Sequence, residues 1–171
     1  MTDPDGDRLR ARVRVMQVIC IALVLGVVFF LALAGYLVLS RGQGLNPPAG
    51  MPFLSMLALV MLLMNGPLAL ILPAAMTKNA IQRLASRTSS STQDDEAQLL
   101  AVRQTSLIVG LALWEGVAFM AAIAFLLEGD PLVLAIDGVA ILFMLGSLPN
   151  MANVQLWLDR QLSLLMELRQ R

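Results

Sequence analysis

The sequence predicts an all-α chain: an integral membrane four-helix bundle followed by an amphipathic cytoplasmic helix at the C-terminus. Three observations predict it. Four apolar stretches, at about 15–39, 52–76, 105–127 and 131–148, are each long enough to cross a bilayer. Hydrocarbon offers the backbone no hydrogen-bond partner, so each stretch is expected to be a helix that satisfies its own amides. The basic residues, finally, are sorted by loop. Arg8, Arg10, Arg12 and Arg14 precede the first stretch, Lys78, Arg83, Arg87 and Arg103 separate the second from the third, and Arg160, Arg169 and Arg171 follow the fourth. Only Arg41 falls on the other side, and eleven of twelve basic residues on one side place both termini in the cytoplasm of a multi-pass inner (cell) membrane protein.

A polar leader, 1–9, is expected to be disordered, with helix starting near Arg8 or Arg10. The membrane domain then covers 10–150. Its first span ends at Ser40-Arg41-Gly42, before an external loop rich in Gly and Pro over 44–50. Ala32-Leu33-Ala34 resembles a signal-peptide cleavage site, but the apolar run continues through Leu39 to full membrane thickness, so an uncleaved span is expected. Span two carries Asn65-Gly66-Pro67 near its middle and Pro73 near its inner end. Pro67 lacks an N–H and displaces the carbonyl of Leu63, which predicts a kink.

A cytoplasmic segment, 77–104, links spans two and three. It should extend the second helix to about Arg87, turn at Thr88 to Ser91, and start the third at Thr92, an N-cap with Asp94, Asp95 and Glu96 in the first turn. Glu128-Gly129-Asp130-Pro131 is a tight external turn into span four, and Pro149-Asn150 ends that span. The tail, 151–171, recovers a helical stripe of Val154, Leu158, Leu162 and Leu165, with Trp157 as a candidate interfacial anchor. Such a tail either closes its own bundle or pairs with another helix.

Composition removes much chemistry. No histidine is present, which excludes His-based acid–base and nucleophile systems and the commonest transition-metal ligand. Cys20 lies in an apolar span, where a thiol behaves as a small hydrophobe. No catalytic residue, cofactor or metal site is therefore expected, and 171 residues with four spans leave no room for a soluble catalytic domain. The arginines beside span one, interleaved with Asp3, Asp5 and Asp7, read as a topology signal, so no nucleic acid partner is expected. The expected partners are the bilayer and either further copies of the chain or a larger membrane complex.

Glu115 is the most informative single residue, because a carboxyl at mid-span costs several kcal/mol unless it is neutral, paired or hydrated. Its stripe includes Leu111, Ala112, Ala118, Phe119 and Ala122. The spacings Ser106 to Gly110, Ala112 to Gly116 and Ala118 to Ala122 suit close helix contact. Counted from the outer surface, Asn65 lies roughly 20 Å deep and Glu115 roughly 18 Å, so a hydrogen bond between them is expected. Asp137, about 9 Å deep, is expected to reach water. With Glu128 and Asp130 at the rim, these acids outline a half-pathway for protons or cations. The alternative is that Glu115 and Asn65 only fix the register of the bundle. An aspartyl enzyme built on Glu115 and Asp137 is disfavoured by their difference in depth, on the order of 9 Å.

Gly110-Leu111-Ala112-Leu113-Trp114-Glu115, followed by apolar residues to Pro131, resembles the carboxylate-bearing outer helix of rotary ATPase c subunits. The resemblance implies an ion-carrying role for Glu115. It covers about 25 residues, and span two lacks the Gly-x-Gly repeat of that family's first helix. As a whole the chain is similar to small four-span bacterial membrane proteins with a Gly-x-Ala-x-x-Glu-Gly-x-Ala-Phe core in the third span, which implies a fold and no activity. The role expected from all of this is a structural or accessory subunit, with an ion pathway at Glu115 as the alternative.

Overall fold

The computed structural model describes residues 4–42, 52–86 and 92–170, with side chains from 9 in the first segment and from 94 in the third. These form five helices: α1 (Pro4–Ser40), α2 (Phe53–Ala85), α3 (Thr92–Glu128), α4 (Leu132–Gly146) and α5 (Met151–Gln170). The expected loop over 44–50 and the turn over 88–91 lie outside the described residues.

α1 starts earlier than the sequence suggests. Proline suits a first helical position, where its fixed φ is already helical and its missing N–H has no intrahelical acceptor to lose. The helix accordingly begins at Pro4, and the leader expected to be disordered over 1–9 is helical from that residue on. α2 runs through Pro67 and Pro73 as one helix and extends past its apolar segment to Ala85. α3 is unbroken over 37 residues, about 55 Å at 1.5 Å per residue, as the acidic first turn and apolar centre predict. Gly129, at φ 69°, turns the chain into α4.

α4 departs from expectation. It has only 15 residues, about 22 Å, against roughly 30 Å of hydrocarbon. Ser147 ends it, and after Leu148-Pro149-Asn150 the chain resumes as α5 at 68° to α4. Proline without an N–H is the reason for the break, and its free carbonyl finds a donor: Gln17 Nε2 of α1 bonds the Pro149 oxygen at 2.9 Å. The described residues thus hold three helices long and apolar enough to cross a membrane, and a fourth only if the bent pair α4–α5 counts as one span.

α3 is the central helix. It packs against every other helix and most extensively against α2. Three apolar clusters stack along it. The middle one joins Cys20, Val24 and Val27 of α1 to Leu111 and Trp114 of α3 and Met144 of α4. At the end bearing the α3–α4 turn, Ala34 and Val38 meet Ala58, Phe125 and Val133. At the opposite end, Val154, Leu158 and Leu165 of α5 bury against Val13, Ile81, Leu84, Leu99 and Leu100. The amphipathic tail therefore closes its own bundle. This end also gathers the start of α1, the end of α2 and the start of α3, and with them Arg10, Arg12, Arg14, Lys78, Arg83 and Arg103.

The outside of the bundle is apolar. Only 22% of the most apolar window of α1 or α2, and 39% of that of α3, is buried inside the chain, and Phe29, Leu63 and Met64 stand about 70% exposed. A water-soluble surface rarely carries so continuous an apolar area.

Candidate functional site

The α2–α3 packing sets the height of the mid-bundle polar groups. A Cβ on Gly66 would stand 3.4 Å from the Trp114 ring, and one on Gly110 would stand 3.5 Å from the Ala69 carbonyl, which Pro73 leaves without a helical donor. This antiparallel register brings Asn65 level with Glu115, as depth counting predicts. The two do not bond, however: the hydrogen bonds of the described residues include none between them. Gly110 and Trp114 occupy the side of α3 that faces α2, and Glu115 lies a further 100° round the helix. One turn on, Phe119 meets Phe30 of α1 edge-on at 5.2 Å, so Glu115 sits toward the α1 side, half-buried and away from Asn65. Among the described residues it makes neither an ion pair nor a hydrogen bond.

Two of the three small-residue spacings are used within the bundle. Ser106 and Gly110 face α2, and Ala118 and Ala122 are buried. Ala112 and Gly116, which flank Glu115, are not enclosed: Ala112 is exposed, and a Cβ on Gly116 would meet nothing within 4 Å.

Asp137 corrects the expectation that it reaches water. It is 0% exposed, and both carboxyl oxygens are buried with no hydrogen-bond partner among the described residues. The cause is rotational. Val133, Ala140 and Met144 share its face of α4, and all three are buried, so the face that carries Asp137 is the one turned into the bundle. Counting depth along a helix measures distance from its end and says nothing of which face its neighbours cover.

The two rim acids are occupied as helix caps. Both Glu128 oxygens accept from the first turn of α2: the Leu54 N–H at 2.6 Å, the Ser55 N–H at 2.8 Å and the Ser55 hydroxyl at 2.6 Å. These are amides that a helix start leaves without internal acceptors. Glu128 lies just beyond the apolar segment of α3. Partial burial raises its carboxyl pKa, and the Ser55 hydroxyl and the two backbone N–H groups outweigh that and hold it below the ordinary glutamate value. Asp130 in turn accepts from the Leu132 N–H at 3.0 Å, which caps α4.

The opposite end is held by a pair that the sequence did not single out. Arg169 Nη1 and Nη2 donate to the two Asp95 oxygens at 2.7 and 3.1 Å, and Nη2 also reaches the Leu84 carbonyl at 3.2 Å. One guanidinium thus ties α5 to the start of α3 and the end of α2. Asp95 is 2% exposed. Partners 74 positions apart leave no local signal in a sequence. Trp157, the candidate anchor, stacks under Arg103 at 5.3 Å from ring centroid to guanidinium.

Among the described residues no three acidic or cysteine side chains gather into a metal-holding group. In comparisons with protein-family models, curated proteins and solved structures, the chain matches none.

Proposed function

We propose that this chain is a small multi-pass protein of the inner cell membrane, with both termini cytoplasmic, and that it serves as a structural or accessory subunit packing with itself or with another membrane protein. The observation that carries the reading is Glu115. A carboxyl half-way along an apolar helix, half-buried and without a bond to any described residue of its own chain, calls for a polar partner from outside. Beside it, Ala112 and Gly116 offer the close approach that a neighbouring helix uses. The capping of α2 and α4 by Glu128 and Asp130 supports this reading over a half-pathway, since both rim acids are spent on helix ends.

The test is the assembly state of Glu115 variants in mild detergent. Gln keeps the shape and the hydrogen bonds of the side chain, whereas Ala removes them. Wild type and Glu115→Gln should share one assembled mass by light scattering, while Glu115→Ala should associate about tenfold more weakly, equivalent to about 1.4 kcal/mol. A wild-type chain that is monomeric and co-purifies with no partner would sink the proposal. The orientation is checked by thiol labelling on a Cys20→Ala background. Gln43→Cys should react with an impermeant reagent in intact cells, and Ser90→Cys should not.

A second reading, a proton or cation pathway component, is favoured by the unpartnered buried carboxyl of Asp137. Proton uptake by reconstituted vesicles that disappears in Glu115→Gln and in Asp137→Asn would replace the structural reading with this one.

A further inference from the structure

At the basic end, the gap between α2, α3 and α5 is a cleft of about 760 Å³ with two chemically different walls. Leu70, Pro73 and Ala74 of α2 line it toward the middle of the bundle, and Leu164 and Leu168 continue the apolar lining on α5. Lys78 and Arg103 supply cations to the same cleft. Neither makes an ion pair among the described residues, although Asp95, close by in sequence to Arg103, is held by Arg169. Glu167, the one carboxylate among the described lining residues, already has an interaction of its own.

Burial lowers the pKa of Arg103, whose guanidinium lies over the Trp157 ring at 5.3 Å. A ring face attracts a cation but does not neutralise it. The cleft therefore holds a partly desolvated positive charge with a second cation beside it and a greasy floor one helical turn away. Lys78 lies about one turn beyond Ala74, so on α2 Leu70, Pro73 and Ala74 lie toward the middle of the bundle and the cation nearer its end.

From this arrangement we infer that the cleft between α2, α3 and α5 is a binding site for an anionic phospholipid, with the phosphate between Lys78 and Arg103 and an acyl chain along Leu70, Pro73 and Leu164. The volume suits a headgroup with the first part of a chain. Basic pockets between helices at the cytoplasmic side of a membrane are where anionic headgroups are held. The inference rests on the membrane reading above, which would bring that end of the bundle to the inner-leaflet headgroups.

Trp157 in the wall provides the measurement. In a Trp114→Phe background it is the sole tryptophan, and bromine on an acyl chain in contact with it quenches its fluorescence. The solubilised protein in mixed micelles should be half-quenched at a tenfold or more lower mole fraction of brominated phosphatidylglycerol than of brominated phosphatidylcholine. Lys78 is exposed, so Lys78→Gln keeps the fold and should reduce that preference several-fold; Lys78→Gln with Arg103→Gln should abolish it at an unchanged far-ultraviolet circular dichroism spectrum. Equal quenching by the two lipids, or a preference that survives in both variants, overturns the site. Displacement of brominated phosphatidylglycerol by millimolar inorganic phosphate also overturns it, since the site would then take a soluble anion. Because the measurement is made in micelles, it stands apart from membrane fractionation of cells. A chain absent from the membrane fraction that still prefers phosphatidylglycerol would break the membrane reading and leave the lipid chemistry intact.

Discussion

The carboxyl groups at the two ends of the bundle and those in its middle live under opposite conditions. At the ends the most buried acids described are partnered: Glu128 accepts three hydrogen bonds, Asp130 caps α4, and Asp95 takes both arms of Arg169. In the middle, neither Asp137 nor Glu115 has a hydrogen-bond partner among the described residues. The contrast follows from where donors exist. Helix ends expose amides that lack internal acceptors, and charged side chains collect there, whereas the middle of an apolar helix has spent every amide on its own ladder. An acid at an end is therefore part of the architecture. An acid in the middle costs stability, and it persists only where something other than folding requires it.

The strongest way to break this comparison is at the Arg169–Asp95 pair. Arg169→Ala removes the guanidinium paired with the buried Asp95 and should cost about 3 kcal/mol, read as a lowered thermal unfolding midpoint and faster proteolysis of α5. A loss below about 0.5 kcal/mol would mean the tail is held by Val154, Leu158 and Leu165 alone. The middle should respond with the opposite sign. Asp137→Val replaces an unpartnered buried carboxyl with an apolar side chain of similar size and should stabilise the chain by about 2 kcal/mol. Destabilisation instead would show that the carboxyl has a partner, and the contrast between middle and ends would collapse.

The smallest expected effect sharpens the comparison at the turn end. Glu128→Ala removes the cap of α2 and should cost about 1 kcal/mol, seen as faster amide exchange at Leu54 and Ser55. The same cap should titrate. The folded Glu128 pKa is depressed, so its contribution is fully present above the ordinary glutamate value and is lost as pH falls through the lower folded value. Exchange at the two amides, corrected for intrinsic rates, should rise in that acidic window in wild type and stay flat in Glu128→Gln.

Much of this fold is legible in the sequence because it depends on local pattern. The unbroken α3 follows from its acidic first turn and its apolar run to Leu127, the tail from the Val154, Leu158, Leu165 stripe, and the break after α4 from Pro149. The α2–α3 register also follows, since counting from the outer ends of two antiparallel helices fixes heights, and the approach of Gly66 to Trp114 brings Asn65 level with Glu115. What pattern does not supply is rotation. Whether Glu115 faces Asn65, or Asp137 faces water, depends on which side of each helix its neighbours cover, and that is decided by Trp114, Phe119 and Met144 packing across chain separations that no local spacing encodes. The Arg169–Asp95 pair is hidden for the same reason.

The shortness of α4 has a consequence for whatever surrounds the chain. Set in a bilayer beside helices of 33 to 37 residues, a 15-residue helix leaves a hydrophobic mismatch of roughly 8 Å on one flank only. Lipid on that flank must thin, or the bent start of α5 must sink to cover the gap, while the other flanks demand full thickness. In a bilayer the molecule would thus be a wedge, with a side that short-chain lipid or a thin neighbouring protein would wet more readily than the rest. Assembly along that flank would relieve the deformation for both participants, so α4, the least conspicuous helix by length, is the one that gives the bundle a preferred direction in which to associate.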